Sequence, residues 1–436
     1  MAPDERFLEP EIETMPHDEI DRQQAERVLE LLPYAYERAG LYREVWDAAG
    51  VHPREITTMT DFHRRIPFIT KDMIRDYRDR HGDPYGGLLC VDPADLQTIS
   101  ASSGTTGDPT LFLEQWDGVT LAPLVGTEYL RAYWHMGLRP GDKVLANAAG
   151  FRGTVENSFR AMGLVPILVD TWLGNWSEVV EVILAHRPAY TQLMGPQLPE
   201  LERLSLKYDM RDVFSSFKAV GFAGEPLGLK MRERLRDQWG IELYVYASAG
   251  DTGLAWECRQ RDGYHLHEDV LLPEFLEPGA REVARPGEVG ELVSTSIDNP
   301  TAPLIRYRTD DLVRFSRTTC ACGCTHARVW VLGRAGDETL VSGRVVVPTQ
   351  IWAAIEREPE TETALFQIIR PQRNVDELRL RVGYATDRTG DLPDLERRLK
   401  AAVVDAVGVE PVLELLPEED LLARGSAAKV PRISRT

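Results

Sequence analysis

Between His17 and Arg38 the chain reads HDEIDRQQAERVLELLPYAYER, with Ile20, Val28, Leu29, Leu32 and Ala35 on or near one stripe. Apolar residues returning every three to four positions define an amphipathic helix. From about residue 85 short apolar runs alternate with helical stretches. Runs at 142–149 and 165–170 predict strands, 177–187 and 225–239 predict helices, and 216–224 and 241–248 return to strand. Such alternation implies βαβ units and a largely parallel sheet. From about residue 287 the pattern turns β-rich. Beyond Arg334 it predicts a small α/β unit that opens on ETLVSGRVVVP and continues with a helix in TQIWAAIERE, strands in TALFQIIR and ELRLRVGYA, a helix in LPDLERRLKAAVVDAV and a strand in EPVLELLP. The expected boundary lies at 333–337, giving domains over 1–333 and 334–436.

Composition narrows the class. Hydrophobic residues make up 43% of 436 positions and charged residues 27%, the balance of an ordinary soluble globular protein. A net charge of −19 argues against nucleic-acid or anionic-membrane partners, which need a basic footprint. One focused site can still hold an anionic small molecule. The start, MAPDERFLEPEIETMPHDEID, is acidic and lacks the apolar segment of a signal peptide. The longest apolar runs are too short to span a bilayer. Five cysteines, three of them crowded at 320–324, do not form a secreted disulfide framework, so a reducing cytoplasm fits.

The stretch QTISASSGTTGDPT, residues 97–110, is too polar and hydroxyl-rich for core. Ser102, Ser103, Gly104, Thr105, Thr106 and Gly107 can offer backbone N–H groups and hydroxyls to phosphate oxygens, with the glycines letting the backbone approach. It is not a Walker loop, because the lysine spacing is absent. On composition alone, a solvated turn is an equal alternative.

What tips the balance is a series of motifs in a fixed order. SSGTTGDPT resembles the phosphate loop of the adenylate-forming superfamily. AGEP at 223–226, YAS at 246–248, YRTDDL at 307–312, GRAGDETLVSG at 333–343 and RGSAAK at 424–429 follow in that superfamily's order. Within it the chain is most similar to the phenylacetate-CoA ligase family, through PFITKDMIRDY at 67–77, ECRQRDGYHLHED at 257–269 and the CACG…TH run at 320–326. The resemblance spans roughly 20–432. It implies a large N-terminal domain of mostly parallel sheets with a β-rich subdomain, and a small mobile α/β C-terminal domain.

It also implies a reaction. A carboxylate attacks the α-phosphorus of ATP, pyrophosphate leaves, and the acyl-adenylate passes its acyl group to an acceptor, by default CoA. Two anions must meet while charge grows on phosphoryl oxygens, so positioning and electrostatics dominate. The resemblance places the β- and γ-phosphates at Ser102, Ser103, Thr105 and Thr106, with Thr106 touching Mg²⁺. It puts adenine beside Gly224, Glu225, Pro226, Tyr246, Ala247 and Ser248, and the ribose hydroxyls on Asp311. Arg334 becomes a fixed cation for ribose or phosphate, Lys429 the lysine that enters from the small domain, Gly336 the hinge and Gly343 part of a pantetheine tunnel. The acid would lie among Phe151, Asn157, Phe159, Ala223, Ala249 and Gly250, with Arg152 a further reader of a ring substituent. A substituted benzoate such as an aminobenzoate suits that mix.

The cysteines add a second chemistry. Cys258 and His265 are spaced C-x6-H, and Cys320 and Cys322 follow as C-x-C. Three thiolates and an imidazole make a tetrahedral zinc site, which the resemblance makes structural. Cys324 rivals Cys322, His267 rivals His265, and reduced cysteines without metal remain an alternative. Cys90 stands alone.

The chain also departs from the superfamily pattern. Asp310 replaces a usual glycine and is expected to be exposed. Gly250 stands where a magnesium-binding glutamate is usual, and the adjacent Asp251 is the candidate substitute. Asp108 replaces a lysine. Acceptors other than CoA (a carrier-protein thiol, or an amine or hydroxyl of a small molecule), a non-catalytic nucleotide-binding relative, a zinc-binding interaction module and a homodimer are the alternatives and partners carried forward.

Overall fold

The computed structural model describes residues 6–101, 111–114, 128–146, 154–171, 174–224, 227–248, 251–425 and 430–435. By packing the chain divides into two units. The first comprises Met1–Gly137, Phe151–Met162 and Ala247–Val331; the second comprises Leu138–Gly150, Gly163–Tyr246 and Leu332–Thr436.

In the first unit the long helix spans His17–Arg38, as the apolar stripe predicts, and buries Ile20, Val28, Leu31, Leu32 and Ala35. Val28, Leu31, Leu32 and Ala35 join Tyr42, Trp46, Phe62, Ile69, Ile305 and Tyr307 in one core. Mainly antiparallel strands form the sheet of this unit, in the order Leu271–Leu276, Val289–Ser296, Tyr307–Ser316, Arg328–Arg334, Tyr264–Leu266, Leu254–Glu257. A separate antiparallel hairpin pairs Thr98–Ala101 with Leu111–Glu114.

The second unit holds the parallel sheet, in the order Leu243–Ser248, Ala219–Ala223, Tyr190–Met194, Lys143–Ala146, Val165–Leu168. Helices Trp176–His186 and Leu229–Trp239 supply crossovers. Its C-terminal part is the expected α/β layer, with sheet order Pro411–Pro417, Leu378–Tyr384, Phe366–Ile369, Ile433–Ser434 and helices Pro348–Ile355 and Leu392–Val407.

The Leu392–Val407 helix shows why this layer forms. Asp391 accepts the Asp394 amide at 3.1 Å, and Gly408 closes the helix at φ 67°. Leu395, Leu399 and Val403 fall four apart and are fully buried against Phe366, Leu380 and Val382. Each such side chain contributes ~1.5–3 kcal/mol on burial, and truncating Leu399 to alanine would cost ~2–5 kcal/mol. Among the described residues no helix is long and apolar enough to cross a membrane.

Candidate functional site

The YRTDDL motif opens the strand Tyr307–Ser316. Its pairing with Val289–Ser296 slips inside the motif: Val293 faces Arg308 and Glu291 faces Leu312, so residues 309–311 share one partner position, Leu292. Asp310 occupies this bulge at φ 63° and is exposed, as expected. Left-handed backbone favours glycine and tolerates aspartate, which accounts physically for the glycine usual there. Thr309 Oγ1 donates to the Leu292 carbonyl at 2.8 Å and accepts the Asp311 amide at 3.1 Å. Bulges re-aim side chains, and this one holds Asp311 at 9% exposure.

Tyr246 lies near the end of the parallel strand Leu243–Ser248. Its ring is buried and its hydroxyl lies 3.1 Å from that of Tyr190. A Cβ on Gly221 would come within 2.8 Å of the Tyr246 ring, so glycine there makes room for it. Gly224 turns at φ 93° just past the neighbouring strand, beside half-buried Ala223. Asn157 is half-buried, and Phe159 is buried with its ring 5.0 Å from Tyr133.

Arg334 ends its strand exposed, and Gly336 follows at φ 87°. Arg370 donates to the Gly336 carbonyl at 2.6 Å and the Glu338 carbonyl at 2.7 Å. Ser342 and Gly343, at φ 48° and 83°, form the two-residue turn between Thr339–Val341 and Arg344–Val346. Gly343 lines an open groove with Asn374, Arg379 and Arg435. Residues 102–107, Phe151, Arg152, Glu225, Pro226, Ala249, Gly250 and Lys429 lie outside the described residues, as does the side chain of Ser248.

The cysteine question resolves into one set. Cys258, His265, Cys320 and Cys322 are buried with their donor atoms all within 4.8 Å of one another. Hairpin register sets Trp256 opposite His265, which carries Cys258 past the strand end beside the imidazole. Cys258 Sγ lies 3.8 Å from Cys320 Sγ, and Cys322 Sγ lies 3.5 Å from His265 Nε2. A tetrahedral zinc with bonds of ~2.3 Å to sulfur and ~2.0 Å to nitrogen separates its donors by ~3.5–3.8 Å, so the residues fit that ion. His265 Nδ1 sits 3.3 Å from the His326 carbonyl, which leaves Nε2 for a metal. The amides of Gln260 and Cys324 donate to Cys258 and Cys322 sulfur, each at 3.4 Å. The rivals have other places. Cys324 is buried outside the set, its thiol pushed up by burial. His267 stacks on Trp256 with centroids 6.1 Å apart. Cys90 is buried alone, pushed up to about 12 by burial.

One feature escapes sequence reasoning. A cavity of about 150 Å³ in the first unit is lined by Asp251, Glu128 and Asp298 among others. Glu128 begins the helix Glu128–His135, is 4% exposed, and is pushed up to about 7 by burial. Burial also raises Asp298. Nothing in the local pattern around GTEYLRAYW separates a buried Glu128 from a surface one.

No protein-family model matches the chain. The solved structure of 2-hydroxyisobutyryl-CoA ligase in the postadenylation state superposes with a TM-score of 0.85 at 23% identity, over 100% of this chain and 94% of that one. The fold is therefore that of the adenylate-forming ligases. A phenylacetate-coenzyme A ligase of Thermus thermophilus is 29% identical over 447 residues, covering 94% of this chain and 95% of the relative. That of Aromatoleum evansii is 30% identical over 387 residues, covering 86% and 84%. The chain belongs to the phenylacetate-coenzyme A ligase family, whose members are AMP-forming acid–CoA ligases.

Proposed function

We propose that this protein activates an aromatic carboxylic acid with ATP and transfers the acyl group to CoA. One carboxylate oxygen attacks the α-phosphorus, the bond from that phosphorus to the bridging oxygen breaks, and pyrophosphate carries the electron pair away. The CoA thiol then loses its proton, its sulfur attacks the acyl carbon, and AMP leaves. The observation that carries the reading is the similarity to phenylacetate-coenzyme A ligases across nearly their whole length.

Within it, Asp311 takes the ribose diol, with two carboxylate oxygens matching two vicinal hydroxyls, and the bulge supports that role by fixing its backbone. Tyr246 and Gly224 border the base, and Arg334 and Lys429 counter phosphate and carboxylate charge. Residues 102–107 hold the outer phosphates. The acid sits among Phe151, Asn157, Phe159, Ala223, Ala249 and Gly250. The part beyond 334 moves about Gly336 between the two half-reactions, since glycine absorbs a large φ/ψ change at low cost. A magnesium ion near Thr106 and Asp251 would neutralise phosphate charge. A zinc ion on Cys258, His265, Cys320 and Cys322 would pin the loop at 317–327 to the hairpin of Leu254–Glu257 and Tyr264–Leu266 and take no part in the chemistry.

Pyrophosphate release and CoA-thioester formation, measured with phenylacetate, benzoates, aminobenzoates and fatty acids, test this. Aryl-acid-dependent pyrophosphate with thioester product is expected. Preference for long fatty acids overturns the aromatic assignment. Pyrophosphate release without thioester overturns CoA as acceptor in favour of a carrier thiol or an amine.

A further inference from the structure

Two ion pairs of the second unit meet face to face. On the side of the parallel sheet, Glu202 of the helix Leu198–Leu204 pairs with Arg234 of the helix Leu229–Trp239. On the side beyond Gly336, Glu362 pairs with Arg388 at 3.5 Å. Glu362 follows the turn Pro359–Thr361, and Arg388 follows the strand Leu378–Tyr384. Two cross-pairs, Arg234 with Glu362 and Arg388 with Glu202, close the four into a ring. Glu202 is 5% exposed, and the other three side chains are largely buried.

The order of charges decides how the ring can part. Removing one partner of a buried ion pair leaves a charge uncompensated, which destabilises strongly. Here each side brings one acid and one base that already touch. Separating the sides therefore breaks only the two cross-pairs and leaves each half neutral and paired. Polar contacts of this kind between parts of one chain suit repeated docking and release better than an apolar face does.

A second contact on the same helix sets where the docked side sits. The helix Leu229–Trp239 starts at Gly228 with no side-chain cap of its own. Glu356, just past the helix Pro348–Ile355, supplies one by accepting the Lys230 amide at 3.4 Å. A carboxylate is favoured at a helix N-terminus. The backbone of Gly228, at φ −62° and ψ 147°, suits any residue, so glycine is there for space. A Cβ would collide with the Glu356 carboxylate and come within 2.6 Å of the Trp352 indole nitrogen. Glu356 thus grips the first turn of the helix, and the ring grips it about one turn further on, at Arg234.

We propose that Glu202, Arg234, Glu362 and Arg388 form a releasable catch that docks the part beyond Gly336 on the helix Leu229–Trp239, with Glu356 and Gly228 setting its register. It rests on the ligase reading, in which that part moves about Gly336 between the half-reactions. The four are positioning residues: they touch no substrate, and they hold one of the two arrangements against the other. Weakening the cross-pairs therefore shifts the balance between pyrophosphate formation and thioester formation instead of slowing both alike.

The test exchanges charges in the full chain. Glu362→Arg with Arg388→Glu keeps that side paired but sets like charges at both cross-contacts. Adding Glu202→Arg with Arg234→Glu restores the alternation. Nitroxides on Gln238→Cys and Arg397→Cys, both exposed where the native cysteines are buried, report the separation by pulsed electron paramagnetic resonance. The double exchange should raise a longer-distance population at least threefold, and the fourfold exchange should return most of it. A wild-type distance distribution in the double exchange, with a native fold by circular dichroism, overturns the catch. So does a fourfold exchange that stays as open as the double. If the exchanged chains do not fold, Gly228→Ala decides alone, since its methyl group should open the same contact. The ratio of pyrophosphate-forming to thioester-forming rates, the second measured from supplied acyl-adenylate, should change fivefold or more in the double exchange. An unchanged ratio overturns the positioning role. Wild type that forms no pyrophosphate with any acid sinks the ligase reading, while the spin-label distances still decide the catch.

Discussion

The Thr309 hydroxyl holds the backbone of Asp311: it accepts the Asp311 amide at 3.1 Å while donating to the Leu292 carbonyl at 2.8 Å. One side chain thus closes the bulge and ties it to the neighbouring strand. Thr309→Val keeps the shape and removes both bonds. It should cost ~1–3 kcal/mol, because it leaves a buried amide unpaired, and lower nucleotide affinity several-fold. Thr309→Ser should restore most of both. Urea unfolding and nucleotide titration calorimetry check this, and native affinity in Thr309→Val would remove the bulge from any binding role.

Asp310 makes a separable prediction. At φ 63° and exposed, it bears backbone strain without burial. Asp310→Gly should leave activity intact and stability within ~1 kcal/mol, since glycine gains in the left-handed region what it loses in chain entropy. Asp310→Val should cost ~1–2 kcal/mol, because a β-branched side chain fits that region poorly. Equal melting temperatures for the two variants would contradict the strain argument.

What the sequence discloses follows the range of the forces involved. The helices His17–Arg38 and Leu392–Val407 were legible to the residue, because periodicity, Asp391 and Gly408 act within a few positions. The boundaries of shorter elements drift by a few residues: the run at 225–239 becomes the helix Leu229–Trp239 behind Gly228. The choice of His265 over His267 required the hairpin register, since both lie in one short run and only the first is brought to the sulfurs. Glu128 was invisible, because its burial and its cavity come from residues outside its own local pattern, from Ile74 and Leu113 to Asp251 and Asp298. Equally invisible was a ring of alternating charge in the second unit. There Arg234 pairs with Glu202 and Glu362, and Arg388 pairs with the same two acids.

The cysteine set predicts its own metal chemistry. Purified protein should carry one zinc per chain by elemental analysis. Chelation should lower the melting temperature, since metal binding and folding are coupled. Cys322→Ser should lose the zinc, whereas Cys324→Ser should keep it. Zinc retained by the first and lost by the second would mean that Cys324 is the ligand. Loss of CoA-ligase activity in proportion to zinc, with the fold intact, would contradict a structural role.

Glu418 should make stability depend on pH. It is buried at the start of the short helix Glu418–Leu422 and pushed up to about 7, mainly by burial. The Thr363 hydroxyl, Arg203 and Arg388 favour its charged form, and Glu202 opposes it. Because the folded value lies above the unfolded one near 4.5, the stabilising contribution is full below about 4.5 and is lost as pH rises through about 7. A shift of this size corresponds to on the order of 2–3 kcal/mol. Glu128, also at about 7, shares the window, so the difference between variant and wild type isolates Glu418. Glu418→Gln keeps a partner for Thr363 and cannot ionise. It should match wild type near pH 5 and exceed it by ~2 kcal/mol near pH 8 in urea unfolding. Parallel stability curves for the two proteins across that range would show that Glu418 is already charged in the folded chain, held so by Arg203 and Arg388 despite its burial.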